Sequence, residues 1–154
     1  MLVSMQANIF VELLMRYLYG DKGDDTSWPL EINMPTIIDA QFSAATLLIT
    51  FGALIGRASP LQLTVIALSE SVFYAFNKVI LVLGYVGAED VGGSMTIHMF
   101  GAAFGLAISY ALGPPKVGLH SAEPDKISDV FAFVGTTILW FFWPSFVGAI
   151  ETGV

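Results

Sequence analysis

The sequence contains no cysteine and few charged residues. Without cysteine, disulfide bonds and thiolate metal sites are excluded, and the redox state of the compartment stays open. Only 12% of the 154 residues are charged, whereas about a quarter are charged in a typical soluble domain. The sequence also lacks a basic tract or a zinc-finger spacing, so no nucleic-acid partner is expected.

Hydrophobic residues make up 55% of the chain, with a mean hydropathy of +0.73. They form five segments near the roughly 20 residues that a membrane span needs. The expected spans are Met1–Tyr19, Ile37–Ile55, Leu61–Leu83, Met95–Leu112 and Val130–Ile150. A soluble helical bundle would place a polar stripe on every helix, and the last segment has almost none. The sequence therefore predicts one domain, residues 1–154, that is all-α and integral to the membrane, a polytopic bundle of about five transmembrane helices.

The loops between these spans alternate between the two sides of the membrane. One side holds Arg57, Lys116 and Lys126, and the loops of the other hold only Lys22. Because basic residues favour the cytoplasm, the "GRASP" loop is expected inside, and Asp90 at the outer end of its helix.

A histidine, His98, lies inside the fourth segment. Asp90 and the glycines after it can begin that helix, and His98 lies about 12 Å further along it, near the middle of a core about 30 Å thick. Gly101 and Gly105 share its face at a spacing that lets membrane helices pack closely. The imidazole therefore faces protein or water. Spacing leaves two interpretations open, a structural histidine bonded across helices and a functional group.

Two aromatic residues, Phe42 and Phe146, are expected near the same outer end as Asp90. Phenylalanines in spans are more often core or lipid-facing residues than functional ones. Trp143 and Trp140 fit an interfacial aromatic belt.

Other charges within the spans need partners. Glu70 is near the middle of its span and requires a partner or a cavity, whereas Lys78 is near the outer end and can extend toward the interface. Glu12 and Arg16 have the i, i+4 spacing of a structural ion pair.

Two stretches closely resemble the Rh glycoprotein branch of the ammonium transporter/Rh family, and a third is similar to a connection between two of its spans. They are "DVGGSMTIHMFGAAFGLAISY", "SDVFAFVGTTILWFFWPSF" and "FGALIGRASPLQL". The resemblance runs nearly end to end and keeps the order of the segments. It implies a fold of two inverted halves, a trimer with one pore in each subunit, ammonia or ammonium as substrate, and no cofactor or metal.

The resemblance also implies roles for individual residues. By matching motifs, Phe42 and Phe146 correspond to two stacked gate phenylalanines, and Asp90 resembles the structural and recruiting aspartate. His98 resembles the first of two hydrogen-bonded pore histidines. Trp143 is then a candidate vestibule aromatic.

The chain departs from the family in three ways. Lys78 stands where animal Rh proteins commonly have an acidic residue, and Val147 where the family usually has asparagine after "WPSF". Family members are about three times longer, at about 20 residues per span. We therefore expect a partial chain that lacks the second inverted half and its companion histidine.

Two hypotheses follow. The first is an Rh-type ammonia/ammonium channel or transporter, multi-pass in the plasma membrane, and a homotrimer or Rh-family heteromer when full length. The second is a truncated, non-transporting membrane paralogue that acts as a structural or interaction partner. An enzyme is not expected, because the sequence has no nucleophile motif and no metal-ligand spacing.

Overall fold

The computed structural model of the chain describes residues 7, 9–11, 13, 14, 17, 18, 34–114 and 125–148. The described residues before 19 are helical. Four helices follow: α1 (Met34–Gly52), α2 (Pro60–Val86), α3 (Ser94–Leu112) and α4 (Lys126–Val147). The described residues include no strand, so the prediction of an all-α polytopic membrane fold is confirmed.

Several expectations fall on residues that lie outside the described part of the chain. They are most of the span Met1–Tyr19, the Glu12–Arg16 pair, Lys22 and Lys116.

Three of the described helices, α2, α3 and α4, are long and apolar enough to cross a membrane. The apolar stretch of α1, Thr36–Gly52, is shorter. Every helix differs from its expected span by one to four residues at one end or both, because hydropathy follows apolar side chains whereas helices begin and end at capping groups. Whether each helix crosses the bilayer at the expected bounds stays a prediction.

Capping residues set two of these boundaries. Ser59 accepts a hydrogen bond from the backbone N–H of Gln62, whose side chain accepts one from the Ser59 N–H, and Pro60 follows at the first helical position. This capping box begins α2 sharply. Asp125 accepts a hydrogen bond from the Ser128 N–H and so begins α4 before its apolar run.

Two segments have π-helical rather than α-helical hydrogen bonding. Phe76–Val86 forms the second half of α2, and Ser94–Met99 forms the first turns of α3. In the second of these, the backbone N–H groups of Ile97 and His98 both donate to the Gly93 carbonyl, at 2.9 and 3.0 Å. π-Helical turns are rare and frequently occur at functional sites.

Helices α1 and α3 pack closely because α3 has glycine where they meet. Gly101 and Gly105 are buried against backbone atoms of Thr46 and Thr50 on α1. Small residues allow this approach in membrane helices. Ala102, the small residue next to Gly101, is exposed.

A buried polar contact joins the three helices α1, α2 and α3. Thr50 of α1 donates to Glu70 Oε1 of α2 at 2.7 Å, and its hydroxyl also lies 3.0 Å from the Gly101 carbonyl oxygen of α3. Only 1% of Glu70 is exposed. Glu70 Oε1 thus has the partner that its depth required, on a different helix. The buried Oε2 has none among the described residues.

Arg57, in the turn between α1 and α2, joins the C-terminal ends of α1 and α3. Its guanidinium donates to the hydroxyl of Ser109, at 2.7 Å, and to the carbonyls of Ser109 and Gly113. Ser109 lies in the last turn of α3 and Gly113 directly follows the helix, so no further helical N–H can satisfy their carbonyls. Arg57 therefore closes the end of the bundle opposite to Asp90.

Candidate functional site

Four rings from three helices form an aromatic cluster, which consists of Phe42, His98, Trp143 and Phe146. The ring centroids of Phe42 and Phe146 are 5.0 Å apart, with the planes tilted by 45°. His98 lies 5.6 Å from Trp143 and 6.2 Å from Phe146. The structure therefore brings together the residues that the sequence had placed on α1, α3 and α4.

The two phenylalanines are in contact but are not parallel. The nearly parallel pair is Trp143 and Phe146, whose centroids are 5.2 Å apart at an angle of 29°. Both residues come from the last turns of α4, on either side of Pro144. Proline removes a helical N–H donor, and the neighbouring Ser145 hydroxyl donates to the Phe142 carbonyl at 2.7 Å.

His98 is half-buried within this cluster. Among the described residues its buried Nε2 has no hydrogen-bond partner. A buried ring nitrogen without a partner is costly. The imidazole thus presents a polar atom beside two apolar rings.

Asp90 holds the start of α3. Its Oδ2 accepts hydrogen bonds from the backbone N–H of Met95 at 3.0 Å, from that of Thr96 at 2.8 Å, and from the Thr96 hydroxyl at 2.9 Å. The turn before it needs glycine at position 93, where φ is +70° and an added Cβ would lie 2.3 Å from the Ile97 side chain. Asp90 therefore fixes the helix that carries His98.

A cavity of about 380 Å³ lies next to Asp90, and we call it the Asp90 cavity. Its polar lining includes three carboxylates and one ammonium group, those of Asp39, Glu89, Asp90 and Lys78. Phe42 lines its apolar side and also lines a second cavity, of about 320 Å³, together with Trp143 and Phe146. Phe42 thus lies between the charged cavity and the rest of the aromatic cluster.

Lys78 does not extend to an interface as the sequence suggested. Its Nζ lies 2.8 Å from Asp39 Oδ2, and only 11% of its side chain and 18% of that of Asp39 are exposed. A charged pair this enclosed is held by both charge and hydrogen bonding.

Sequence reasoning missed two of these contacts. Neither Asp39 nor Thr96 had been singled out from the sequence, although Asp39 contacts Lys78 and Thr96 contacts Asp90. A hydroxyl residue six positions after an aspartate at a helix start is a weak capping signal. Nothing in the spacing indicated that Asp39 and Lys78, on separate helices, would meet.

Comparison with known proteins supports the resemblance described above. A model of the Ammonium Transporter Family matches residues 30–154. The chain is 44% identical over 123 residues to "Ammonium transporter Rh type B" of Danio rerio, which covers 79% of this chain and 27% of that protein. It is 43% identical over 139 residues to the protein of the same name in Mus musculus, and the match covers 89% of this chain and 30% of that protein. It is 42% identical over 140 residues to "Ammonium transporter Rh type C-like 2" of Danio rerio, covering 90% and 28%.

The chain therefore belongs to the ammonium transporter family, and the predicted relationship to its Rh branch is confirmed. It spans less than a third of the length of these curated relatives.

Proposed function

We propose that this chain forms part of the conduction pathway of an Rh-type channel or transporter that passes ammonia or ammonium across the plasma membrane. The pathway runs from the Asp90 cavity past Phe42 and Phe146 to His98. The observation that carries the proposal is the position of Phe42, which lines both the charged cavity and the cavity of the aromatic cluster. The names of the relatives, which are called ammonium transporters, supply the substrate.

Each part of this pathway has a chemical task. The carboxylates of the Asp90 cavity raise the local concentration of cations. The faces of Phe42 and Phe146 can attract a cation and exclude water. An isolated ammonium ion is too costly to carry further into apolar surroundings. It must give up a proton or be handed to an acceptor, and an imidazole is an acceptor without fixed charge that can also relay a proton.

The test is ammonium-driven flux in proteoliposomes, followed by a pH-sensitive dye trapped inside. His98→Ala should reduce or alter the flux and leave folding largely intact, because the side chain is only half-buried. Met99→Ala is the matched control, since Met99 is the next residue and is 63% exposed. Unchanged flux in His98→Ala would contradict the role of His98.

Phe146 is tested in the same assay. Phe146→Ala should change gating or increase water leak more than it changes expression, because the contact between Phe42 and Phe146 is the gate before His98 in the proposed pathway. Phe141→Ala, on the same helix and 76% exposed, is the control. Loss of the folded protein without any leak would show that Phe146 is a packing residue.

A second candidate is a non-transporting membrane paralogue that acts as a structural or interaction partner of other chains of the family. The observation in its favour is α4, which has no buried residue within the described part of the chain. Protein that inserts and assembles, but passes no more ammonium than empty liposomes, would support this candidate over conduction.

A further inference from the structure

The ammonium group of Lys78 lies in the Asp90 cavity. Lys78 is on the π-helical part of α2, and its Nζ contacts Asp39 Oδ2 of α1 at 2.8 Å. Both side chains line the cavity, together with Glu89 and Asp90. The ammonium group is thus held inside a space that three carboxylates line together with apolar side chains. Only 11% of the Lys78 side chain is exposed.

A lysine Nζ and a free ammonium ion make the same chemical demands. Both are compact cations that donate N–H groups to carboxylate oxygens and lose hydration when they are enclosed. A carboxylate that already holds one such group in a charge-assisted hydrogen bond attracts a second cation less strongly, and the two cations repel each other.

We propose that Lys78 is a tethered ammonium group that occupies a cation position of the Asp90 cavity and competes there with ammonium from solution. This inference rests on the proposed function and identifies what sets the apparent affinity of its outer site. Removing the charge of Lys78 vacates Asp39 and makes the cavity more negative by one charge.

The other carboxylates of the cavity do not provide an equal position. Asp90 Oδ2 already accepts three hydrogen bonds from the start of α3. Glu89 is exposed to solvent, where water and salt screen its charge. Asp39 is the enclosed carboxylate that faces an ammonium group, and Lys78 supplies that group.

The test uses the absence of cysteine from these 154 residues. Lys78→Cys introduces a single thiol that can be alkylated in two ways. With 2-bromoethylamine the thiol becomes a thioether ending in an ammonium group, with the same chain length as lysine. With iodoacetamide it becomes a thioether of matching length that ends in a neutral amide. The two products therefore differ in charge and hardly in size.

Half-saturation of methylammonium-driven flux is measured in proteoliposomes for each form. In Lys78→Cys, and in its iodoacetamide product, flux should reach half-saturation at about a tenfold lower methylammonium concentration than in the unchanged protein. This factor is expected when one charge is removed at short range in a partly hydrated cavity. The aminoethyl form should return to the original value. This return also shows that the variant is folded. Equal half-saturation in all forms, or a decrease that aminoethylation does not reverse, would overturn the inference.

A second readout does not depend on flux. At equal ionic strength, ammonium chloride should slow the alkylation of the Lys78→Cys thiol by 2-bromoethylamine more than sodium chloride does, because ammonium then occupies the vacated position beside Asp39. The added change Asp39→Asn should remove this protection. If ammonium slows the alkylation but no flux is seen, conduction is contradicted, and the cation position beside Asp39 is supported. Flux without protection would retain conduction and overturn the competition.

Discussion

The substitution Gly101→Ala places one methyl group where α3 meets α1. An added Cβ would lie 2.9 Å from the Thr46 carbonyl oxygen, 3.1 Å from Thr46 Cγ2 and 3.2 Å from Ile49 Cβ. The nearest of these atoms belongs to the backbone of α1 and cannot rotate out of the way. The two helices must therefore separate by a few tenths of an ångström, which loosens the contact along their length.

Two opposing effects determine the size of the change. Overpacking of this kind costs about 1–3 kcal/mol, while alanine favours the helix over glycine by about 1 kcal/mol. Gly135 on α4 is the matched control, because nothing among the described residues lies within 4 Å of an added Cβ there. Gly135→Ala should change stability by the helix preference alone. The difference between the two variants then isolates the packing cost, which we expect to be about 1–3 kcal/mol with Gly101→Ala the less stable.

The measurement is equilibrium unfolding in mixed detergent micelles, followed by far-ultraviolet circular dichroism. Gly105→Ala gives an independent repeat, since its added Cβ would lie 3.0 Å from Thr50 Cα. If the Gly101→Ala and Gly135→Ala proteins agree in stability within about 0.5 kcal/mol, helices α1 and α3 are not in close contact at Gly101.

Three further predictions use the same unfolding measurement. Asp90→Ala should destabilise the protein by about 1–3 kcal/mol, because the charge-assisted hydrogen bonds at the start of α3 are lost. Asp90→Asn should retain more of the stability, since it keeps an acceptor oxygen. Equal losses in the two variants would contradict the capping role. Thr50→Val should cost about 1–3 kcal/mol of stability, because it leaves Glu70 Oε1 without its donor. Thr64→Val, at an exposed site, should change stability by less than about 0.5 kcal/mol. A similar small effect at both positions would show that the buried contact adds nothing to stability. Arg57→Lys should also be destabilising, because one ammonium group cannot reach the Ser109 and Gly113 oxygens in the geometry of a guanidinium, and an unchanged unfolding midpoint would argue against these contacts.

The sequence predicted features that depend on one helix at a time. The spacing of Gly101 and Gly105 gives a single helix face, and any helix that packs on this face can approach closely. The position of Asp90 just before a helix gives a cap, because the donors lie within the next few residues of the same chain. Apolar length and turn residues gave the helices themselves to within a few positions.

Contacts between helices were not predictable in this way. Glu70 needed a partner, but its donor, Thr50, is twenty residues away on α1. Lys78 could equally extend to solvent or bind a carboxylate, and the choice depends on the rotation of α1 and α2 about their axes, which hydropathy does not fix. The π-helical turns have no signal in the hydrophobic period either, because they arise from the hydrogen bonding of an α-helix that must accommodate one extra residue.

The glycine contact and the aromatic cluster are mechanically connected. Gly101 lies one helical turn beyond His98 on α3, and its contact with Thr46 is one turn beyond Phe42 on α1. The Thr46 hydroxyl donates to the Phe42 carbonyl at 2.9 Å, so the backbone that receives Gly101 also carries Phe42. A methyl group at Gly101 that pushes α3 from α1 must therefore also increase the separation between His98 and Phe42. Gly101→Ala should consequently change flux as well as lower stability. Gly135→Ala should neither lower stability nor change flux. If Gly101→Ala lowered stability but left flux and its saturation untouched, the separation of Phe42 and His98 would not control passage through this pathway.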